Sequence, residues 1–88
     1  MASRLDLQDW IIEALHSKGG TATIVEVAKF LWEFHEQELR SSGDLFFTWQ
    51  YDMRWACTRL RKQRIVQAAE VSDRGQWKLS SQIDKGAN

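Results

Sequence analysis

The chain has a single cysteine, Cys57, among its 88 residues. One thiol excludes a disulfide within the chain and any cysteine-based zinc-finger spacing. It fits a reducing, cytoplasmic setting. Long apolar runs are lacking too. No apolar stretch of the length a signal peptide or membrane-spanning helix needs follows the opening Met-Ala-Ser-Arg-Leu-Asp. Net charge is absent, because twelve basic side chains offset twelve acidic ones. There is no glycine-rich phosphate loop, no Ser-His-Asp set and no metal-ligand spacing. His16 and His35 fall on separate helical segments and read as two surface histidines. No internal repeat is present. Neither a cofactor nor an enzymatic activity is expected.

What the chain does have is aromatic side chains: five Trp, four Phe and one Tyr. A domain this small buries only roughly 60% of the surface its unfolded chain exposes, so large side chains must supply much of the core. The zero net charge also hides an asymmetry. Residues 1–47 carry four basic and eight acidic side chains, and residues 48–88 carry eight basic and four acidic, so the halves are −4 and +4. A protein can present a basic face without a basic total, and only the face meets a polyanion.

Leu7, Trp10, Ile11, Ala14 and Leu15 recur at helical spacing, which predicts a first helix over about residues 5–18. Asp6 and Asp9 suit its start, His16 and Lys18 suit its end, and Gly19 and Gly20 stop it. Thr21 and Ala22 could form a one-rung β-bridge. Thr23, Ile24, Val25 and Glu26 fit a capping box, the Thr23 hydroxyl and the Glu26 carboxylate each taking the other's backbone N–H. Ile24, Val27, Ala28, Leu31 and Phe34 make the expected inner stripe of the second helix. Glu33, Glu36 and Glu38 read as its solvated face. Thr48 is the expected cap of a third helix running to about Gln63. Around Met53, a step of about 100° per residue gathers Trp49, Ala56, Cys57 and Leu60 inside. The same step puts Tyr51, Trp55, Thr58 and Lys62 on the opposite face, flanked by Arg54, Arg59 and Arg61.

"RIVQAAEV" and "QWKLS" read as two strands joined by a turn at Ser72, Asp73, Arg74 and Gly75. Residues 81–88 have too little apolar content to pack and read as a frayed tail. The order is helix, short bridge, helix, helix, hairpin. That is an α+β class: a winged helix-turn-helix, three helices with a C-terminal β-hairpin wing, over residues 1–80.

The segment "RWACTRLRKQRIVQ…RGQWKLS" resembles the winged-helix domain at the N-terminus of Mrr-type restriction endonucleases. The matching elements are Trp55-Ala56, Leu60-Arg61-Lys62, Ile65-Val66 and Arg74-Gly75-Gln76-Trp77. "GGTATIVEVAKFLW" is similar to the Gly-Gly turn and second helix of winged-helix domains generally. Where that family has Ala-Gly after the third helix, this chain has Gln63-Arg64. The resemblance covers about residues 5–80. It implies DNA recognition and not cleavage, since the family's nuclease core is a separate domain for which this chain has no room.

The outer face of the third helix is the main candidate site. Cations there would neutralise phosphates and release counterions. Residues near the start of a recognition helix reach base edges, which selects Thr48, Gln50, Tyr51, Arg54 and Thr58. Arg59, Arg61 and Lys62 are the expected phosphate contacts. Arg74 at the wing tip, supported by Lys78, could enter a minor groove. Trp55 is open between packing and the binding face. Cys57 falls inside and reads as structural. Asp73, Gln76 and Lys78 superficially resemble a nuclease set, but no second carboxylate is placed to share a metal. The expected partner is double-stranded DNA, for a regulator of transcription or a DNA-recognition module. A protein partner on the same fold is the alternative, and RNA a third reading. If the chain forms a homodimer, Trp10 and Ile12 of the first helix are the candidate surface. No membrane partner is expected.

Overall fold

The computed structural model describes residues 2–68 and 75–80. Five elements follow in order: α1 (Asp6–Ser17), β1 (Thr21–Thr23), α2 (Ile24–Arg40), α3 (Leu45–Lys62) and β2 (Gln76–Lys78). They make a small α+β domain with three helices and a two-strand antiparallel sheet. One core joins them. Leu7, Ile11 and Leu15 of α1 meet Val27 and Leu31 of α2 and Met53 and Leu60 of α3, all essentially solvent-free.

Three of the helix ends have a local cause. α1 closes in a Schellman motif: the Gly20 N–H donates to Leu15 O at 2.7 Å and the Gly19 N–H to His16 O at 3.2 Å. Gly19 takes φ +81°, which costs glycine little. α2 opens with the expected capping box. The Thr23 N–H donates to Glu26 Oε1 at 2.9 Å, and the Glu26 N–H donates to Thr23 Oγ1 at 3.1 Å. α3 closes like α1, with the Ile65 N–H donating to Leu60 O at 2.9 Å and the Arg64 N–H to Arg61 O at 3.0 Å. Here, though, the residue in the left-handed conformation is Arg64, at φ +65°. It stands where the resembled family has glycine.

The strands go further than the single rung expected from Thr21 and Ala22. β1 and β2 pair over three residues: Thr21 with Lys78, Ala22 with Trp77 and Thr23 with Gln76. Trp77 and Ala22 face the core together. On the other edge of β2 the chain after α3 comes alongside. Val66 bridges Leu79, the Gln67 N–H donates to Lys78 O at 2.8 Å, and the Ser80 N–H donates to Ile65 O at 2.9 Å. The turn expected at Ser72–Gly75 lies outside the described residues apart from Gly75, as does the tail after Ser80.

Three expectations about the helices are corrected. α3 begins at Leu45, one turn before Thr48. Leu45 and Trp49, four apart, continue the buried stripe, and burying a leucine contributes about 1.5–3 kcal/mol against roughly 1 kcal/mol for a cap. Thr48 is thus a residue of the helix, its hydroxyl donating to Asp52 Oδ2 at 2.7 Å. Phe34 is not on the inner stripe of α2 but 59% exposed, tilted against Phe30. The inward stripe steps by four, through Val27, Leu31, His35 and Leu39, and helical dihedrals break at His35 (φ −130°, ψ 21°). His35 is therefore not a surface histidine, its side chain being 13% exposed. Its ring stacks on Trp10 at 4.0 Å between centroids, and its nitrogens lie 2.8 Å from Glu13 Oε1 and 2.9 Å from Glu38 Oε1. The same stack buries Trp10, which removes it as a dimer surface. Ile12 is half-buried against the core.

The two caps generate three tests. Thr23→Ala leaves the Glu26 N–H without its acceptor and should cost about 1 kcal/mol in chemical unfolding. The Thr23 backbone N–H holds the Glu26 carboxyl below its ordinary pKa; desolvation opposes it, and the Thr23 hydroxyl and the nearby Lys18 and Lys29 add to the lowering. A lowered folded pKa means that the ionised carboxylate stabilises above the unfolded value and that this advantage fades as pH falls through the folded one. Wild type should therefore be more stable than Glu26→Gln at neutral pH, and the difference should vanish in acid. Arg64→Gly should raise stability by roughly 0.5–1 kcal/mol, because relief of left-handed strain exceeds glycine's extra unfolded-state entropy.

Candidate nucleic-acid interface

α3 is amphipathic in a way that fixes which side chains face water. Leu45, Trp49, Met53, Ala56, Cys57 and Leu60 are buried against the rest of the domain. With that stripe locked, the helical repeat leaves Phe47, Tyr51, Arg54, Thr58 and Lys62 along the opposite side, each exposed. Tyr51 is 78% and Phe47 82% exposed. Gln50 lies exposed beside this strip. The Thr58 hydroxyl donates back to Arg54 O at 3.1 Å, which leaves its oxygen free to accept.

The charge along the strip is one-sided. Asp52 is the only acid of α3, and it takes the Thr48 hydroxyl. Arg54 and Lys62 form no ion pair among the described residues. Three of the four acids of α2, by contrast, are engaged locally: Glu26 with the Thr23 N–H at 2.9 Å, Glu36 with Arg40 at 2.7 Å and Glu38 with His35 at 2.9 Å.

Of the residues selected from the sequence, the structure brings Gln50, Tyr51, Arg54, Thr58 and Lys62 together. Others have structural employment. Thr48 is exposed but hydrogen-bonded to Asp52. Arg59 lies over the Trp55 ring at 5.3 Å, and Arg4 lies over the same ring at 4.2 Å. Trp55 is thus half-buried and in contact with two guanidinium groups, neither sealed in the core nor free. Arg61 is half-buried, its Nε–H donating to Gln67 O at 3.0 Å and tying α3 to the chain that returns along β2. Lys78 lies with His16, Gly19, Gly20 and Thr21 around a hollow at the C-terminal end of α1, to which α3 contributes nothing. Arg74 and Asp73 lie outside the described residues. Phe47 was missed as a surface residue because the third helix was expected to start after it. Arg64, not among the residues selected from the sequence, is exposed near Lys62.

Cys57 is buried, and that burial pushes its thiol up to about 11, with Arg61 opposing weakly. At neutral pH it carries no thiolate and behaves as a small apolar side chain. Among the described residues no group of three or more His, Cys, Asp or Glu could hold a metal ion, and no helix is long and apolar enough to cross a membrane. No protein-family model, curated protein or solved structure matches the chain.

Proposed function

We propose that this chain is a winged helix-turn-helix domain that binds double-stranded DNA, with α3 as the recognition helix. The observation that carries the reading is the strip of Tyr51, Arg54, Thr58 and Lys62: exposed, contiguous, basic, and without acidic partners among the described residues. A helix with such a face can lie in the major groove, where its cations displace counterions from phosphates. Arg54 offers two-point hydrogen bonding to guanine, and Gln50 the corresponding pattern for adenine. Lys62 and Arg64, at the far end of the helix, suit phosphates. Both the order of elements and the β1–β2 sheet are compatible with a winged helix. On that fold the chain between α3 and β2 is the wing, and Arg74 within it is a candidate minor-groove contact. The resemblance to Mrr-type recognition domains points the same way, to a module that recognises DNA in a regulator or a larger enzyme and does not cut it.

Not every cation of this region should matter equally. Arg54→Ala and Lys62→Ala should each reduce the salt slope of duplex binding by about one unit, because on random-sequence duplex, where Arg54 meets no fixed guanine, each removes one phosphate neutralisation. Lys78→Ala, on the α1 side, should leave the slope unchanged. Titration of random-sequence duplex at several salt concentrations, followed by anisotropy, reads all three. Equal slopes for the wild type, Arg54→Ala and Lys62→Ala would remove the strip from any duplex interface.

A further inference from the structure

Beside the exposed strip, on the side toward α2, the surface is not convex. A groove of about 920 Å³ runs between α2 and α3. Ile24, Ala28 and Trp32 form one side, and Phe46, Trp49 and Met53 the other. The rings of Trp32 and Trp49 are stacked 6.1 Å apart, and Phe46 lies 6.4 Å from Trp32, so one end is aromatic and held in place. Val25, 61% exposed, extends the apolar surface at the other end. The lips are polar: Lys29 and Glu33 on α2, Gln50 and Arg54 on α3.

Duplex DNA does not explain this groove. Its floor is apolar, recessed between two packed helices, and phosphates make no use of methionine or alanine. A free helix-packing surface of this kind takes a third helix, whose apolar side chains enter between the two already there. The α2 lining, residues 24–33, spans about 14 Å at the helical rise, enough for roughly two to three turns of a partner. Charge selects among partners. Lys29 and Arg54 stand on opposite lips, and neither has an ion-pair partner among the described residues. Glu33 is the one acid on the lining.

We infer that this groove is a docking site for an amphipathic helix of another protein, its apolar stripe flanked by acidic residues that meet Lys29 and Arg54. Apolar anchors spaced by three and four residues fill the space over Ala28, Trp49 and Met53. The flanking carboxylates set orientation and suppress basic partners. The inference does not rest on DNA binding: Lys29 lies outside the strip, and the groove exists whether or not a duplex is recognised.

The test uses a synthetic amphipathic helical peptide of fourteen residues, with Leu and Phe at helical spacing and Glu on both flanks. Its counterpart has Lys in place of every Glu. Titrations are followed by amide chemical shifts of the full chain, with no nucleic acid present. The Glu-flanked peptide should move resonances of residues 24–33 and 46–54 and bind at least several-fold more tightly than the Lys-flanked one. The double variant Lys29→Glu/Arg54→Glu, checked for an unchanged thermal transition, should reverse the preference. Because both substitutions are on exposed or lip positions, the fold should survive; the single variant Lys29→Glu alone should narrow the preference and leave duplex binding intact. Equal affinity for the two peptides overturns the proposal, as does a lack of groove shifts at millimolar peptide. So would concentration-dependent dimerisation of the chain that moves the same resonances, or a single-stranded oligonucleotide that occupies the groove more tightly than the peptide. A chain that binds the peptide but no duplex keeps this inference and loses the DNA reading; the opposite result does the reverse.

Discussion

The rest of the structure depends on the burial of one side of α3. Leu45, Trp49, Met53, Ala56, Cys57 and Leu60 leave it no freedom to rotate about its own axis. A turn of a single residue position would bring polar side chains into the core, where an unpaired polar group costs about 1–3 kcal/mol. The opposite strip is therefore held outward by packing, not by contacts of its own. Arg54, Thr58 and Lys62 need no partner to be presented.

That packing also decides what surrounds the helix. α1 lies against it on one flank, and Arg4, just before α1, joins Arg59 over the Trp55 ring. α2 lies against it on the other, but only partly. At the break in α2, His35 stacks on Trp10 and meets Glu13, both of α1. Along residues 24–33 the two helices leave a groove. The same helix thus borders two unlike surfaces, one convex and basic, one concave and apolar, with Gln50 and Arg54 on the boundary. A ligand that holds Arg54 on one side withdraws it from the other.

Much of this was legible in the residues, for reasons that can be named. The capping box at Thr23 and Glu26 is a local hydrogen-bond pattern, and Gly19 marks a backbone conformation other residues resist. The inner side of α3 follows from an uninterrupted helical repeat. What was not legible depends on tertiary neighbours. The start of α3 was set by Leu45 reaching the core, not by the capping ability of Thr48. His35 displaced Phe34 from the inner side because Trp10, distant in sequence, offered a stacking surface. Arg61 looked like a free cation until the returning chain placed Gln67 O beside it. Lys78 reads from the sequence as support for Arg74 at the wing, and β-pairing with Thr21 sets it at the C-terminal end of α1. The three-residue register of β1 on β2 could not be read from so short a strand.

The central claim is that the outward strip of α3 is a duplex-binding surface. Amide chemical shifts of the uniformly labelled chain, recorded while a short random duplex is added at low salt, test it most directly. The account predicts that the perturbed resonances cluster at Phe47, Gln50, Tyr51, Arg54, Thr58 and Lys62, while those of Glu36 and Glu38 stay in place, with half-saturation at low salt below the roughly 10⁻⁴–10⁻⁶ M of non-specific binding at physiological salt. A titration to millimolar duplex that moves none of the strip, or that moves the acidic side of α2 instead, would contradict it.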